Sequence, residues 1–446
     1  MSKEVQVARV TALIVCLAAL SSPASAQEPY NLTATVANLA TLFTDLFGPR
    51  GLVVDSLATL PGEQRHSAHF NNDFQSNFKQ FSTALVGQLV GVPLPSPSGG
   101  FTYQFDSSLG VFQRTTTSFG PILADRHETI GARRASIGFA FQRYKYDTIE
   151  GLDLDRIPAV FTHDNAFLRG GREDVVTTSS AIDARVSQAT TFITLGVTDR
   201  LDLSLAVPII DVELNVVSAA TIHRLGTTNE LTHFFRQTDG EVGERRIFTA
   251  AGRASGVGDL MVRVKTTAAG GATNGLAVGM NVHLPTGDEM NLLGSGAAGL
   301  QPFVIWSGTR GNVSPHVNAS YKWNGSSVLA GNPATGERAR FPDQASYAVG
   351  ADVSVNPRLT VAFDVIGQYL IDAERIRSEQ FHALDERSVF PNVAFTRDSF
   401  NVLSGSIGMK ANLLERLLFD VNLLFKIDEH GLRDRVTPLV GLEYSF

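Results

Sequence analysis

Cysteine is nearly missing from this chain: Cys16 is its single example. A disulfide framework within the chain is thereby excluded, and because Cys16 lies in the segment expected to be cleaved, no thiol chemistry is expected of the mature chain; exported proteins without disulfides need another source of stability. Beyond the first 26 residues there is no uninterrupted apolar run of about 18 residues, so no membrane-spanning helix is expected. A surplus of positive charge is also lacking, since the formal net charge is −7. That balance argues against nucleic acid as a partner. No His-Glu-x-x-His spacing and no phosphate-cradling glycine loop with lysine occurs, so neither a metal nor another cofactor is expected.

What is present begins with an export signal. Lys3 and Arg9 precede an apolar stretch from Val10 to Leu20, and Ala24-Ser25-Ala26 supplies the small-x-small pattern for cleavage before Gln27. The apolar stretch, about 11 residues, is too short to span a bilayer. Residues 1–26 are therefore read as a signal peptide, 27–98 as a helical plug and 99–446 as a β-barrel.

Hydrophobic residues make up 43% of the chain, yet they are spread as every-other-residue patterns. Val436, Pro438, Val440, Leu442, Tyr444 and Phe446 alternate with Thr437, Gly441, Glu443 and Ser445. Period two places the two sets on opposite faces of one strand. The same dyad runs through 201–207, 276–284, 313–323, 347–355, 359–369 and 419–427. Further strands are expected near 99–106, 109–119, 134–147, 182–197, 257–268, 298–308 and 399–412.

Strands of roughly 10 to 14 residues exceed the five or six common in soluble sheets and suit a tilted crossing of a hydrocarbon core. Lipid offers backbone amides no partner, so a spanning sheet must close on itself. The fold expected is all-β: a transmembrane antiparallel barrel of about 14 strands, with 12 and 16 also compatible. Tight links such as Asn356-Pro357-Arg358 and Thr198-Asp199-Arg200 alternate with long segments at 148–181, 217–256, 285–298, 324–343 and 372–398. Short periplasmic turns and long outer loops are the habit of barrels in the Gram-negative outer membrane. A terminal strand ending Tyr-Ser-Phe resembles the sorting signal read by the barrel assembly machinery, which makes Phe446 a candidate contact. Lipid and lipopolysaccharide are the other surroundings expected.

Residues 27–98 do not alternate. Leu32, Val36, Leu39, Phe43 and Leu46 recur at steps of three and four, marking an amphipathic helix of about four turns that Gly48 and Pro49 end. Phe70, Phe74, Phe78, Phe81, Leu85 and Leu89 form a second stripe. The four phenylalanines are candidates for a ligand path; simple packing against the barrel wall is the competing reading.

Charges of both signs fall on inward positions: Arg263, Lys265, Lys322, Lys410 and Lys426 against Asp352, Asp364, Asp420 and Glu443. His283, His316, Arg263 and Asp364 are the polar residues expected in the lumen. Cross-strand pairing is their simplest role and solute selection the alternative. The histidines are scattered, with no spacing that implies a catalytic triad, so an enzyme is not expected.

Gly258-Asp259-Leu260, Leu284-Pro285-Thr286-Gly287-Asp288 with Asn291-Leu292-Leu293-Gly294, and Tyr321-Lys322-Trp323-Asn324-Gly325 together resemble the outer-membrane transporter family of the phenol meta-degradation pathway. The resemblance covers roughly 100 to 446. That family is similar in plan to the long-chain fatty-acid transporters, whose Asn-Pro-Ala hatch motif does not occur in 27–98. The resemblance implies passive uptake of small hydrophobic or aromatic solutes. A membrane-embedded hydrolase, or a barrel that binds partners through loops 217–256 and 372–398, are the alternatives.

Overall fold

Period-two patterning makes strands, and pairing them leaves two edges that must be satisfied. In the computed structural model twelve antiparallel strands solve this by closing a ring. They are β1 (Ala135–Lys145), β2 (Val175–Thr198), β3 (Leu201–His223), β4 (Leu260–Gly270), β5 (Asn274–Leu284) and β6 (Gly299–Gly308). The ring continues with β7 (Val313–Asn324), β8 (Asp343–Asn356), β9 (Leu359–His382), β10 (Val389–Leu414), β11 (Leu417–Lys426) and β12 (Val436–Ser445). Each strand pairs with its successor, and β12 returns to β1 through Leu439↔Gln142 to Ser445↔Ser136. The residues described are 36–47, 52, 54–57, 84–85, 87–89, 96, 100–106, 111–114, 118–162, 173–226, 228–236, 242–271, 273–414 and 416–446. The expected signal peptide, and Phe70, Phe74, Phe78 and Phe81, lie outside them.

Two more strands bring the sheet to fourteen: Ile157–Thr162 lies along β2 and Arg245–Val257 along β3. The sheet thus has the expected number of strands, but its membership differs. The segments expected as wall strands near 99–106 and 109–119 pair instead as a separate hairpin, Tyr103–Asp106 with Val111–Arg114. The ring itself begins at Ala135.

The ring is inside out relative to a soluble protein. Ile137, Phe139, Ile193, Leu195, Leu203, Val304, Trp306, Val317, Phe363, Val365, Ile407, Met409 and Leu423 are exposed, whereas Gln142, Gln188, Thr194, Asp202, Ser204, Arg263, Lys265, His316, Asp352, Asp364 and Lys410 are buried. An apolar outer band around a polar interior is what lipid outside and a wet lumen within require. The strand ends at Thr198, Gly270, Gly308, Asn356 and Leu414, each followed by a short link, all fall at one end, the end of Ala135 and Phe446. Short turns mark that end as periplasmic.

At the other end the pattern inverts. On β2, outward Ile193 and Leu195 give way to Asp183 and Arg185, while inward Gln188 and Thr194 give way to Val186, Ala184 and Ile182. On β3 the inward series becomes Val212, Leu214 and Val216, and the outward one Asp211, Glu213 and Asn215. Outward Arg185 pairs with Asp183 at 2.5 Å and with Glu213 at 3.6 Å. Above the membrane band these strands therefore enclose an apolar core, joined by Phe161, Phe248, Ile376 and Val393. The segments expected as long loops at 217–256 and 372–398 are largely the upper parts of β3, β9, β10 and the strand Arg245–Val257.

The N-terminal segment packs into this upper core. Leu39, Leu42, Phe43, Leu46, Leu52, Leu85 and Leu89 are buried there. Only part of the expected first helix is helical: a single 3-10 turn at Leu39–Thr41 and one α turn at Leu42–Asp45. Asn38 caps it by accepting from the Thr41 amide at 3.2 Å. So short a helix is held by burying its apolar side chains rather than by its own propensity.

Candidate functional site

The lumen is crossed at its periplasmic third by residues 118–134, which form a floor fastened to strands around the ring. Ser118 donates to Asp352 of β8, and the Phe119 amide donates to Thr360 of β9 at 3.0 Å. Asp125 meets Arg263 of β4 at 2.5 Å, and its amide and carbonyl bond the Asn318 side chain of β7 at 2.6 and 2.9 Å. The His127 amide donates to Ser307 of β6 at 2.9 Å. Lys265 donates to the Glu128 carbonyl at 2.7 Å, and the Ile130 amide donates to Asp202 of β3 at 3.1 Å. A β-carbon at Gly196 would overlap the Gly131 carbonyl, so a glycine there lets the floor lie against β2.

The inner wall carries a polar cluster that register alone assembles. His316 sits opposite Gly350, and Gly350 sits opposite Asp364, so three strands bring these residues into one row. Because Gly350 has no side chain, the His316 imidazole reaches across it to Asp364 at 2.5 Å, with Asp352 at 3.5 Å on its other nitrogen. Ser118 donates to Asp352 rather than to an imidazole nitrogen. The contact a serine hydrolase needs between nucleophile and base is therefore not made here.

Above the floor lies a cavity of about 270 Å³, and beside it a second of about 150 Å³. Both are lined by Leu123, Ser295, Lys322, Gln344, Ile366 and Gln368, so they are lobes of one chamber. Leu89 of the N-terminal segment reaches the larger lobe from above, with Val186, Ile210, Met261, Phe303 and Ile305 on its walls. His283 lines the same lobe, and its Nε2 bonds the Gln301 side-chain oxygen at 3.0 Å. Arg263 also lines it, and its guanidinium lies 4.2 Å from the Phe303 ring centroid, a cation–π contact. Of the four polar lumen residues singled out from the sequence, His283 and Arg263 thus face the chamber, while His316 and Asp364 are bonded to each other in the wall.

One side of the chamber is a loop folded inward and tied at Asp259. The Asp259 carboxylate accepts from the Gly287 amide at 3.1 Å, the Ser295 amide at 2.8 Å and the Ser295 hydroxyl at 2.7 Å. Thr286 closes the knot by donating to the Gly258 carbonyl at 2.8 Å and accepting from the Leu260 amide at 3.0 Å. The turn words Gly258-Asp259-Leu260, Pro285-Thr286-Gly287-Asp288 and Gly294-Ser295 are thus one structural unit. No local pattern joins them; only the fold brings them together.

The family model for the MetA-pathway of phenol degradation matches residues 165–383. The match is a similarity over those residues, just under half of the chain. The matched segment includes the Asp259 knot, the larger lobe's Arg263, His283 and Lys322, and the His316–Asp364 pair. No curated protein matches the chain. Among solved structures, an outer membrane channel from Pseudomonas putida F1 is similar at 12% identity, covering 72% of this chain and 99% of its own, with a TM-score of 0.43. The Ralstonia pickettii toluene transporter is similar at 11% identity over 71% and 90% of the two chains, with a TM-score of 0.31. A Pseudomonas aeruginosa FadL homologue is similar at 10% identity over 70% and 88%, with a TM-score of 0.28.

Proposed function

We propose that this protein is an outer-membrane channel for passive uptake of small hydrophobic or aromatic molecules. The observation that carries the reading is the chamber. A closed barrel with an apolar exterior holds, within an otherwise polar lumen, a cavity walled by Leu89, Leu123, Met261, Leu293, Phe303 and Ile305. Concave, mostly apolar space with a few convergent polar groups is the ordinary form of a small-molecule site.

The floor and the N-terminal segment have different holds on the wall. The floor is fixed by charged and polar bonds, several of them buried. The N-terminal segment is held mainly by apolar packing, which is non-directional and yields to an apolar solute. Gating in this reading falls to the N-terminal segment. The Ser118–Asp352 bond serves as a floor latch, and hydrolysis has no activated nucleophile in that cluster. Phe446, exposed at the periplasmic end with its ring 4.8 Å from that of Tyr444, is the contact assigned to the assembly machinery.

Proteoliposome flux tests the channel reading. The expected result is entry of a neutral aromatic such as cresol faster than into protein-free vesicles, and faster again when residues 27–98 are removed. Equal rates with and without protein, for the intact and the shortened chain alike, would overturn it.

A further inference from the structure

Almost every charged side chain lining the chamber has its partner in contact. In the larger lobe Arg263 holds Asp125 at 2.5 Å, and the Asp259 oxygens are taken up by the amides and hydroxyl of the inward loop. In the smaller lobe Lys426 holds Glu429 at 2.7 Å. Arg433 lies 3.8 Å from Asp428 and donates to the Ser404 hydroxyl at 3.2 Å. Asp434 accepts from the Lys145 and Val436 amides and from the Thr437 hydroxyl.

Lys322 is the exception. Its side chain, on β7, lines both lobes, and among the described residues it makes neither an ion pair nor a hydrogen bond. Its stem passes where Gly299 has no β-carbon; a methyl group there would come within 2.7 Å of the Lys322 Cε. The Gln368 amide lines the same two lobes and likewise has no side-chain hydrogen bond among the described residues. Leu123 and Ile366 border both lobes beside them. The carboxylate that acts on Lys322 is Asp259, which makes no ion pair with it and whose oxygens the inward loop already occupies. An ammonium withdrawn from bulk water without a contacting counter-ion is costly, and a bound anion relieves that cost.

We infer that the chamber binds an apolar monocarboxylate about one aromatic ring in size, with its carboxylate on Lys322 and Gln368 and its apolar body against Leu123, Ile366 and the walls of the larger lobe. A volume of about 270 Å³ admits one ring and little more. Lys322 supplies a charge-assisted bond and Gln368 a neutral one, so a neutral aromatic of the same shape gains the apolar contacts without the former. The inference deepens the uptake reading and rests on it for the route by which solute reaches the chamber.

The test uses the full chain in detergent micelles and in liposomes, with 4-fluorobenzoate and its neutral counterpart 4-fluorobenzyl alcohol as probes. Fluorine NMR titration reads binding, and heat-modifiable gel migration verifies that each variant is a folded barrel. Lys322→Met keeps the stem and removes the charge; it is expected to weaken 4-fluorobenzoate binding about tenfold and leave the alcohol unchanged, while Lys322→Arg retains most of the binding. Unchanged benzoate binding in Lys322→Met, or an equal loss for both probes, overturns the proposal. Vesicle entry separates it from the uptake reading. Binding that depends on Lys322 without flux of either probe retains the site and refutes uptake. Flux of both probes with no dependence on Lys322 in binding retains uptake and refutes the site.

Discussion

The hairpin of β2 and β3 runs through two surroundings on one hydrogen-bond ladder. Apart from a bulge between Gly196 and Thr198, pairing continues from Thr198↔Leu201 at the periplasmic turn to Val175↔His223 at the outer tip. In the lower half Leu195 and Leu203, paired and exposed, face outward while Thr194 and Ser204 bond each other inside at 2.9 Å. In the upper half Ala184 and Leu214 are paired and fully buried inside, and Arg185 and Glu213 face out. The register is continuous from Val175↔His223 to Gly196↔Asp202, across the change; only the solvent on the outer face has changed. A strand's inward and outward faces are thus fixed by closure, and which face carries the apolar residues reports what lies outside. The change falls near Ala189↔Ile209, which marks the outer edge of the lipid band on this side of the barrel.

That comparison can be broken most forcefully from the upper half. Leu214→Asp places a charge with no partner in a core of Ile182, Val212, Phe248 and the N-terminal Leu39 and Leu42. A loss of about 3–5 kcal/mol is expected, the usual penalty for an uncompensated buried charge. The loss should stay local: limited proteolysis should cut the upper hairpin while gel migration still shows a folded ring. Cleavage no faster than in the parent chain would mean that this half is not a packed core. Next in size is Leu203→Arg, which puts a charge on the lipid face of the lower half. Here about 2–4 kcal/mol is expected, read as a lower urea midpoint for unfolding in lipid vesicles. No shift would place Leu203 outside the hydrocarbon.

A third test probes how the lower half holds together when its interior is polar. Gly350→Ala inserts a methyl group between His316 and Asp364, 2.8 Å from the imidazole Nε2. Separating the buried imidazole from its acceptor, with the methyl group also overlapping the Phe363 carbonyl, should cost at least about 1–3 kcal/mol in the same vesicle assay. His316→Gln in the Gly350→Ala background should then cost little more, since the bond it would remove is already gone. Additive losses would show that the two sites do not act through one contact.

Much of the barrel was legible because its lower half follows one rule. Seven of the ring strands follow from alternation at 201–207, 276–284, 313–323, 347–355, 359–369, 419–427 and 436–446, and the further strands expected near 134–147, 182–197, 257–268, 298–308 and 399–412 complete it. The upper half was not, for a physical reason. Past Val207 the alternation persists, but Asp211, Glu213 and Asn215 take the outward places, so the stretch loses the lipid-facing signature and resembles a polar loop. The short strands at 103–106 and 111–114 failed in the opposite way: local alternation makes a hairpin, and nothing local says whether it joins the wall. Of the chamber, the inward charge of Lys322 was visible from parity, and His283 and Arg263 with it. The Asp259 knot and the His316–Asp364 row depend on register across three strands or on a folded loop. Those are long-range facts that single-strand periodicity does not contain.

The smallest effect is the sharpest check on the boundary. Ser179 faces outward on β2, opposite Ala219 and above the inversion, and is exposed. Ser179→Arg makes on the upper half an outward substitution of the kind that Leu203→Arg makes on the lower, with the strand pairing unchanged. A solvated arginine on a strand surface should change stability by no more than about 0.5 kcal/mol. The same urea titration in vesicles compares the two directly. A penalty for Ser179→Arg approaching that for Leu203→Arg would mean that lipid reaches the upper hairpin. The polarity change at Ala189↔Ile209 would then not mark the outer edge of the membrane.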